Sequence, residues 1–303
     1  MLAWSMLNAA LMQERIAFHN DRWVDASALS FSIDDLGVTQ AAMIVERIRA
    51  YCGTLFALNL HLERWDHSAA ELSLSSLRDV EWIKSRIDEL LDRNQQWISE
   101  QEEFGLLMLG TAGRLSEGVR KPTLILDLYS LPQSDIDRLR TEGSPLWITD
   151  VQQPSAACWP RSIKVRSRLH YYLADGQAAA ECPGALGVLV DQDGSITETG
   201  IANVIAVEGG CLVSPPSDQI LAGVSLAVVR RLAEQLGIEF QDSRVFPSRL
   251  LAADEVLLTG TRCGIWFARS VNGRAFSAGP VYQRLRRAFD DLIRGELRLE
   301  GDR

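Results

Sequence analysis

Residues 163–205 read IKVRSRLHYYLADGQAAAECPGALGVLVDQDGSITETGIANVI, and this stretch decides how the rest of the chain is read. Lys164 follows an apolar residue, Ile163. A helix-like run over 169–180 comes next and stops at Pro183–Gly184. Two strand-like runs, 186–190 and 195–199, flank a turn at 191–194, and the second carries an acid, Glu198, in Ile196–Thr197–Glu198–Thr199. A further strand begins at Asn203. The amine can hold an aldehyde as a Schiff base, and the carboxylate can hold a pyridine nitrogen protonated. Together they are what a pyridoxal phosphate site needs. Such a site also requires a phosphate cup and a substrate pocket from elsewhere in the chain.

The bulk composition bounds the alternatives. The chain has 303 residues, 47% of them hydrophobic and 23% charged, an ordinary globular balance with length for two domains. Its net charge of −9 offers no basic face to nucleic acid or to an anionic membrane. Five cysteines (Cys52, Cys158, Cys182, Cys211 and Cys263) are odd in number and scattered, with no CxxC pair. Neither a metal site nor a disulfide framework is indicated, and a reducing cytoplasm is expected. The opening MLAWSMLNAALMQERIAF lacks a basic n-region and carries Glu14 and Arg15, so it does not read as a signal peptide. Its Leu2, Met6, Ala9 and Ala10 suit a short amphipathic helix. No run approaches the length of a membrane span.

Working outward, Asn20–Asp21 marks a hairpin turn within 16–33, and 41–51 leans to strand in its second half. His61–Leu74 is helical, with Leu62, Trp65, Ala69 and Leu72 on one face. Val80–Gln96 is a second helix facing the core with Trp82, Ile83, Ile87, Leu90 and Leu91. Residues 105–110 and 123–129 are strands. The polar segment 131–145, bounded by prolines, reads as a linker between an N-terminal domain, 1–130, and a C-terminal domain, 146–303. In the latter, 146–151, 203–207, 211–214 and 255–259 read as strands. Residues 225–236 form a helix ended by Gly237, and 281–297 form a final helix.

Several ordered motifs resemble the class IV aminotransferases, the fold-type IV pyridoxal phosphate enzymes. That family includes branched-chain and D-amino acid aminotransferases and aminodeoxychorismate lyase. Its opening strand and turn are similar to Phe18–Val24, and its HLxRL motif to His61–Trp65. Its lysine segment is similar to Lys164–Arg168–Leu169 in the K-x-x-x-R-L form, and its T-E-G acid to Thr197–Glu198–Thr199 with Asn203 beyond. The L-P-G-I-T-R turn is similar to Leu221–Ser225, and the A-D-E-V-x-x-T-G-T run to Ala253–Thr261. The resemblance extends from about Phe18 over nearly the whole chain. It implies a two-domain α+β / α/β fold, with a smaller N-terminal α/β domain and a larger C-terminal domain built on a β-barrel-like core.

The resemblance also implies residue roles. Lys164 carries pyridoxal 5′-phosphate as a Schiff base and shuttles the α-proton. Glu198 pairs with the pyridine nitrogen. Arg64, Val224, Ser225 and Thr261 bind the phosphate, which suits a helix start preceded by Gly223 and a planar guanidinium. Cationic neighbours, Arg166 and Arg168, are expected to favour the free amine of Lys164. The partners implied are an amino acid and keto acid as substrates and a second copy in a homodimer.

Alone, each residue has a plainer reading: Lys164 as a solvated lysine, Glu198 as a strand-edge acid, Arg64 as a helix-face charge, Ser225 as an N-cap, Thr261 as a strand end. Tyr171 and Tyr172 read as core or pocket wall. The usual substrate clamps differ here. Gln40 stands where the family has a pocket aromatic, Leu169 where branched-chain enzymes have a tyrosine, and Leu109 where D-amino acid enzymes have an arginine. Arg114 and Arg262 are the nearest substitutes by position for binding a substrate carboxylate. The expected activity is amino transfer from an amino acid or amine. A lyase of the aminodeoxychorismate type and a non-catalytic family member are the alternatives.

Overall fold

Asn20, at φ 59°, turns Ile16–His19 (β1) back on Arg22–Asp25 (β2), pairing Phe18 with Trp23. The computed structural model describes residues 15–116 and 119–295. The helix expected around Leu2, Met6, Ala9 and Ala10 lies outside them, as do the last two residues of the helix expected to reach Leu297. Contacts divide the chain into two units. The first runs to Pro132 and includes Val165–Ser167; the second comprises Gln133–Lys164 and the chain from Arg168 onward.

In the first unit the helices are Leu36–Thr39 (α1), Leu58–Glu71 (α2), Val80–Arg93 (α3) and Gln95–Ser99 (α4). Its strands beyond the hairpin are Met43–Tyr51 (β3), Thr54–Leu55 (β4), Phe104–Ser116 (β5) and Val119–Ser130 (β6). They form one antiparallel sheet in the order β2-β1-β6-β5-β3-β4. Ile44, Ile48, Leu106, Met108, Leu126 and Leu128 from the sheet pack with Leu62, Trp65 and Ala69 of α2 and Ile83, Ile87 and Leu90 of α3. This is the apolar stripe that the 3.6-residue spacing specifies. Trp82, expected on the core side, is 40% exposed and meets the Phe18 ring edge-on at 5.8 Å. The second helix breaks at buried Asn94, whose amide donates to the Leu90 and Ile16 carbonyls and accepts from the Ile16 N–H.

Glu46 on β3 is a buried acid with two partners. Arg64 of α2 donates to it through Nε at 2.7 Å and Nη2 at 2.8 Å, and His61 Nδ1 lies 2.7 Å away. Burial alone would raise its pKa. The Arg64 charge and hydrogen bonds, with His61 added, bring it down to about 2. A depressed carboxyl contributes stability above the unfolded value, lost as pH falls toward about 2. Removing one partner of such a buried pair leaves the other uncompensated. Glu46→Gln is therefore expected to destabilise the protein by about 3–5 kcal/mol, read as a lowered urea midpoint at pH 7.

The second unit begins with a helix where a linker is expected from 131–145. Gln133–Glu142 is α5, with Ile136 fully buried, and the following strand β7, Ser144–Gln152, starts within the same segment. Its polar surface masks a single inward-facing row, and Gly143 at φ 70° supplies the stop. The remaining helices are Leu169–Glu181 (α6), Val224–Gln235 (α7), Pro247–Ala252 (α8) and Pro280–Ile293 (α9).

The strands are Leu186–Val190 (β8), Ile196–Thr199 (β9), Asn203–Glu208 (β10), Cys211–Ser214 (β11), Phe240–Asp242 (β12), Glu255–Gly260 (β13), Gly264–Val271 (β14) and Arg274–Ala275 (β15). Five of them and β7 close a ring, β10-β13-β14-β7-β8-β9, with β9 returning to β10. This is the expected barrel-like core. The sequence reading does not include β14. Its residues are nearly all buried, so the period-2 alternation that marks a half-exposed strand is missing. The closing pair of the ring is Glu198 with Asn203.

Candidate active site

The loop that delivers Lys164 is pinned before the lysine is reached. Arg161, buried, donates to Asp191 at 2.8 and 2.7 Å, to the Pro154 carbonyl at 3.1 Å and to the Gln219 carbonyl at 3.3 Å. Gln192 holds the Gln153 carbonyl at 2.7 Å. One guanidinium thus ties the segment before Lys164 to the β8–β9 turn and to the approach to α7. Its pKa is raised, chiefly by the hydrogen bond to Asp191, so it remains a cation throughout. Lys164 ends the pinned loop, half-buried. The next three residues belong to the first unit, where Val165 bridges Ile44 and the Arg166 N–H donates to the Met43 carbonyl at 2.9 Å.

Glu198 is 3% exposed. Its Oε1 accepts from the Tyr171 hydroxyl at 2.6 Å and, more loosely, from Gln153 Nε2 at 3.5 Å. Its Oε2 accepts from Asn203 Nδ2 at 3.0 Å and the Leu221 N–H at 3.2 Å. Burial raises its pKa. Tyr171, the Leu221 amide and the charges of Lys164 and Arg168 pull it back down in part. Lys164 and Glu198, 34 positions apart in sequence, therefore act on each other electrostatically.

A second side of the site is the start of α7. Gly223 is its N-cap, and no side chain caps it. The first-turn amides of Val224 and Ser225 carry the positive end of the helix dipole. A Cβ on Gly223 would stand 2.0 Å from Asn203 Oδ1, so no side chain fits there. Asn203 also donates to the Leu221 carbonyl at 3.1 Å. The acid and the helix start are thus set at a fixed separation by one amide and one backbone N–H.

The donor set suits pyridoxal 5′-phosphate. An amine, a buried carboxylate and the glycine-led start of a helix match its aldehyde, ring nitrogen and phosphate. Gln153 Oε1 beside Glu198, and Thr259 Oγ1 on the strand position paired with Asn203, are buried without a hydrogen-bond partner among the described residues. Both are polar atoms suited to a polar ligand.

The other expected residues are distributed as follows. Thr261 lies in the β13–β14 turn, half-buried. Arg64 is in the first unit, buried and engaged by Glu46. Gln40 is exposed at the end of α1. Arg114 is 58% exposed and paired with Asp34; Arg262 is 47% exposed and paired with Asp135. Leu169 is 69% exposed. Of the pair expected as core or pocket wall, Tyr171 donates to Glu198 whereas Tyr172 is 76% exposed, and no motif marks Gln153. Arg168, the arginine of the K-x-x-x-R-L form and expected as a cationic neighbour of Lys164, donates to the Gly200 carbonyl and lies 4.5 Å over the Tyr171 ring. The available signal was spacing: Arg168 and Tyr171, three apart at the start of a helix, share a face.

A family model described as amino-transferase class IV matches residues 43–271. A D-alanine aminotransferase of Bacillus licheniformis is 26% identical over 284 residues, covering 91% of this chain and 96% of its own. Among solved structures, a branched-chain aminotransferase of Thermoproteus uzoniensis with norvaline superposes at a TM-score of 0.83 and 20% identity, covering 94% of this chain and 96% of its own. An aminotransferase of Brucella abortus bound to the cofactor PLP does so at 0.82 and 17%, covering 93% and 100%. The two superpositions bear on the fold.

Proposed function

The chain belongs to the class IV aminotransferase family, whose members are pyridoxal phosphate enzymes, and from that premise we propose that Lys164 and Glu198 form its cofactor pair in transferring an amino group from an amino acid or amine to a keto acid. The observation that carries this reading is the buried Glu198 carboxylate, held by four donors within the field of Lys164. When bound, pyridoxal 5′-phosphate supplies an aldehyde for joining amino groups and a conjugated ring that delocalises the charge left on a deprotonated carbon.

The chain's own residues do the rest. Lys164 Nζ would hold the cofactor through its aldehyde carbon and would move a proton at the substrate carbon. Glu198 accepts the ring-nitrogen N–H and keeps that proton from water. Val224 and Ser225 offer their amides to the phosphate, and Thr261 a hydroxyl or amide. Asn203 and Leu221 hold the acid in register with that helix start. Arg64 completes the phosphate partners in this reading on the strength of the HLERW motif. Arg168 is the cation we assign to the substrate carboxylate, since Arg262 is paired with Asp135 on the exposed side of its turn. Gln40 and Arg114 remain second choices for the substrate, by position in the family motifs. The scattered free cysteines support a reducing, cytoplasmic setting. A homodimer is part of the proposal, read as twice the 33.7 kDa chain mass in light scattering.

The test is to incubate the holoenzyme with D- or L-amino acids and a keto acid, and to follow both products by mass spectrometry. Amino transfer dependent on Lys164 is expected. Release of pyruvate from aminodeoxychorismate without amino transfer would replace this reading with the lyase. Neither activity, in protein that binds the cofactor, would leave the non-catalytic reading.

A further inference from the structure

Four donors meet Glu198, and they are not equivalent. On Oε2 both are immobile: one is a backbone amide, and the other is Asn203, locked by the Leu221 carbonyl and pressed against Gly223. On Oε1 the Gln153 amide is loose at 3.5 Å, while the Tyr171 hydroxyl is close at 2.6 Å. A carboxylate offers about four lone-pair sites. A ring N–H presented to Glu198 would replace Gln153, the weakest donor, and leave Tyr171 in place.

Tyr171 is also held from its other side. The Arg168 guanidinium lies 4.5 Å over its ring, and the His170 ring stands 4.1 Å away. The charged and titratable groups acting here are Lys164, Arg168, Arg161, His170 and Tyr171 itself. His170 is lowered to about 4, by burial and then by Arg168, and is neutral near pH 7. The Tyr171 phenol is pushed well above its ordinary value, by burial first and then by Glu198. It keeps its proton and acts as a donor.

We propose that Tyr171 is a positioning residue for Glu198: its hydrogen bond holds the carboxylate as the anion, so that the proton shared with the cofactor's ring nitrogen stays on the nitrogen. A protonated ring withdraws electrons more strongly than a neutral one, so this bond sets how well the cofactor works as an electron sink. The inference rests on the reading of Glu198 as the ring-nitrogen partner. It adds a residue that the family motifs do not single out.

Two measurements test it. Holoenzyme is formed with pyridoxal phosphate labelled with ¹⁵N in the ring, as wild type, Tyr171→Phe, Glu198→Gln and the double variant. The wild-type resonance is expected at the pyridinium position. In Tyr171→Phe, which keeps the ring and its stack under Arg168, it moves toward neutral pyridine. The double variant matches Glu198→Gln, because Tyr171 acts only through the acid. In parallel, infrared difference spectra of the cofactor-free protein follow the protonated Glu198 carbonyl band, assigned by its loss in Glu198→Gln. Its midpoint is expected at higher pH in Tyr171→Phe.

An unchanged resonance with an unchanged midpoint overturns the proposal, as does an equal resonance change with and without Glu198. If wild type itself fails to bind the cofactor through Lys164, the cofactor reading falls, whereas the cofactor-free midpoint still decides whether Tyr171 controls Glu198. If Tyr171→Phe fails to load, the same midpoint decides: a raised one upholds the hold on Glu198 and an unchanged one overturns it.

Discussion

Lys164→Ala is expected to lose at least about 10⁴-fold in kcat, since the proposed function has one side chain both hold the cofactor and transfer the proton. The loop leading to residue 164 is pinned by Arg161, Asp191, Gln192 and Gln219. The variant should therefore fold, melt close to wild type and still take up the cofactor without a covalent link. Peptide mass spectrometry after borohydride reduction should find the cofactor on the peptide containing Lys164 in wild type and on no peptide in the variant. Retention of wild-type activity, or a reduced adduct on a different lysine, would remove Lys164 from its role.

Glu198→Gln is expected to lower kcat by about 10²–10³-fold, the scale found when one preorganised electrostatic partner is removed. Glutamine keeps the shape, but its amide nitrogen cannot accept, so only the two donors on one oxygen keep their bonds, and it carries no charge to stabilise a protonated ring. The stability effect runs the other way with pH. Burial raises the Glu198 pKa in the folded protein, and Tyr171, Leu221, Lys164 and Arg168 offset this only in part. A raised folded value means that the folded state binds the proton more tightly than the unfolded chain. That stability is complete below the ordinary carboxyl value and is lost as pH rises through the folded one. In cofactor-free protein, Tm of Glu198→Gln minus Tm of wild type should thus increase with pH across that window. A difference that stays flat with pH would mean that Glu198 carries no buried charge.

Much of this was legible in the linear chain. The apolar stripes of 61–74 and 80–96 and the hairpin at Asn20 show directly in residue spacing. So do the glycine turns between strands, because helix and strand periods are local properties. The ordered motifs nominated Lys164, Glu198 and the Leu221–Ser225 turn for one site. The helix within 131–145 was hidden because a single buried residue, Ile136, anchors its inner face. Strand β14 was hidden because burial along nearly its whole length erases alternation. Trp82 shows that a stripe assigns a face but not how much of a large ring the neighbours cover.

By itself, then, the sequence determined the family and its cofactor, and it nominated Lys164 and Glu198 as the amine and the acid we propose for it. These depend on residue types at fixed positions and on local spacing. Only the tertiary structure decided what surrounds them. Strand β9 meets β10 at Glu198 and Asn203, which brings the acid to the helix start at Gly223. The turn of α6 carries Tyr171 onto the same carboxylate across 27 positions. Hydrogen bonds act over about 3 Å, while the residues that make them here are separated by whole strands and helices. Register and ring closure, properties of the assembled barrel, determine which side chains meet.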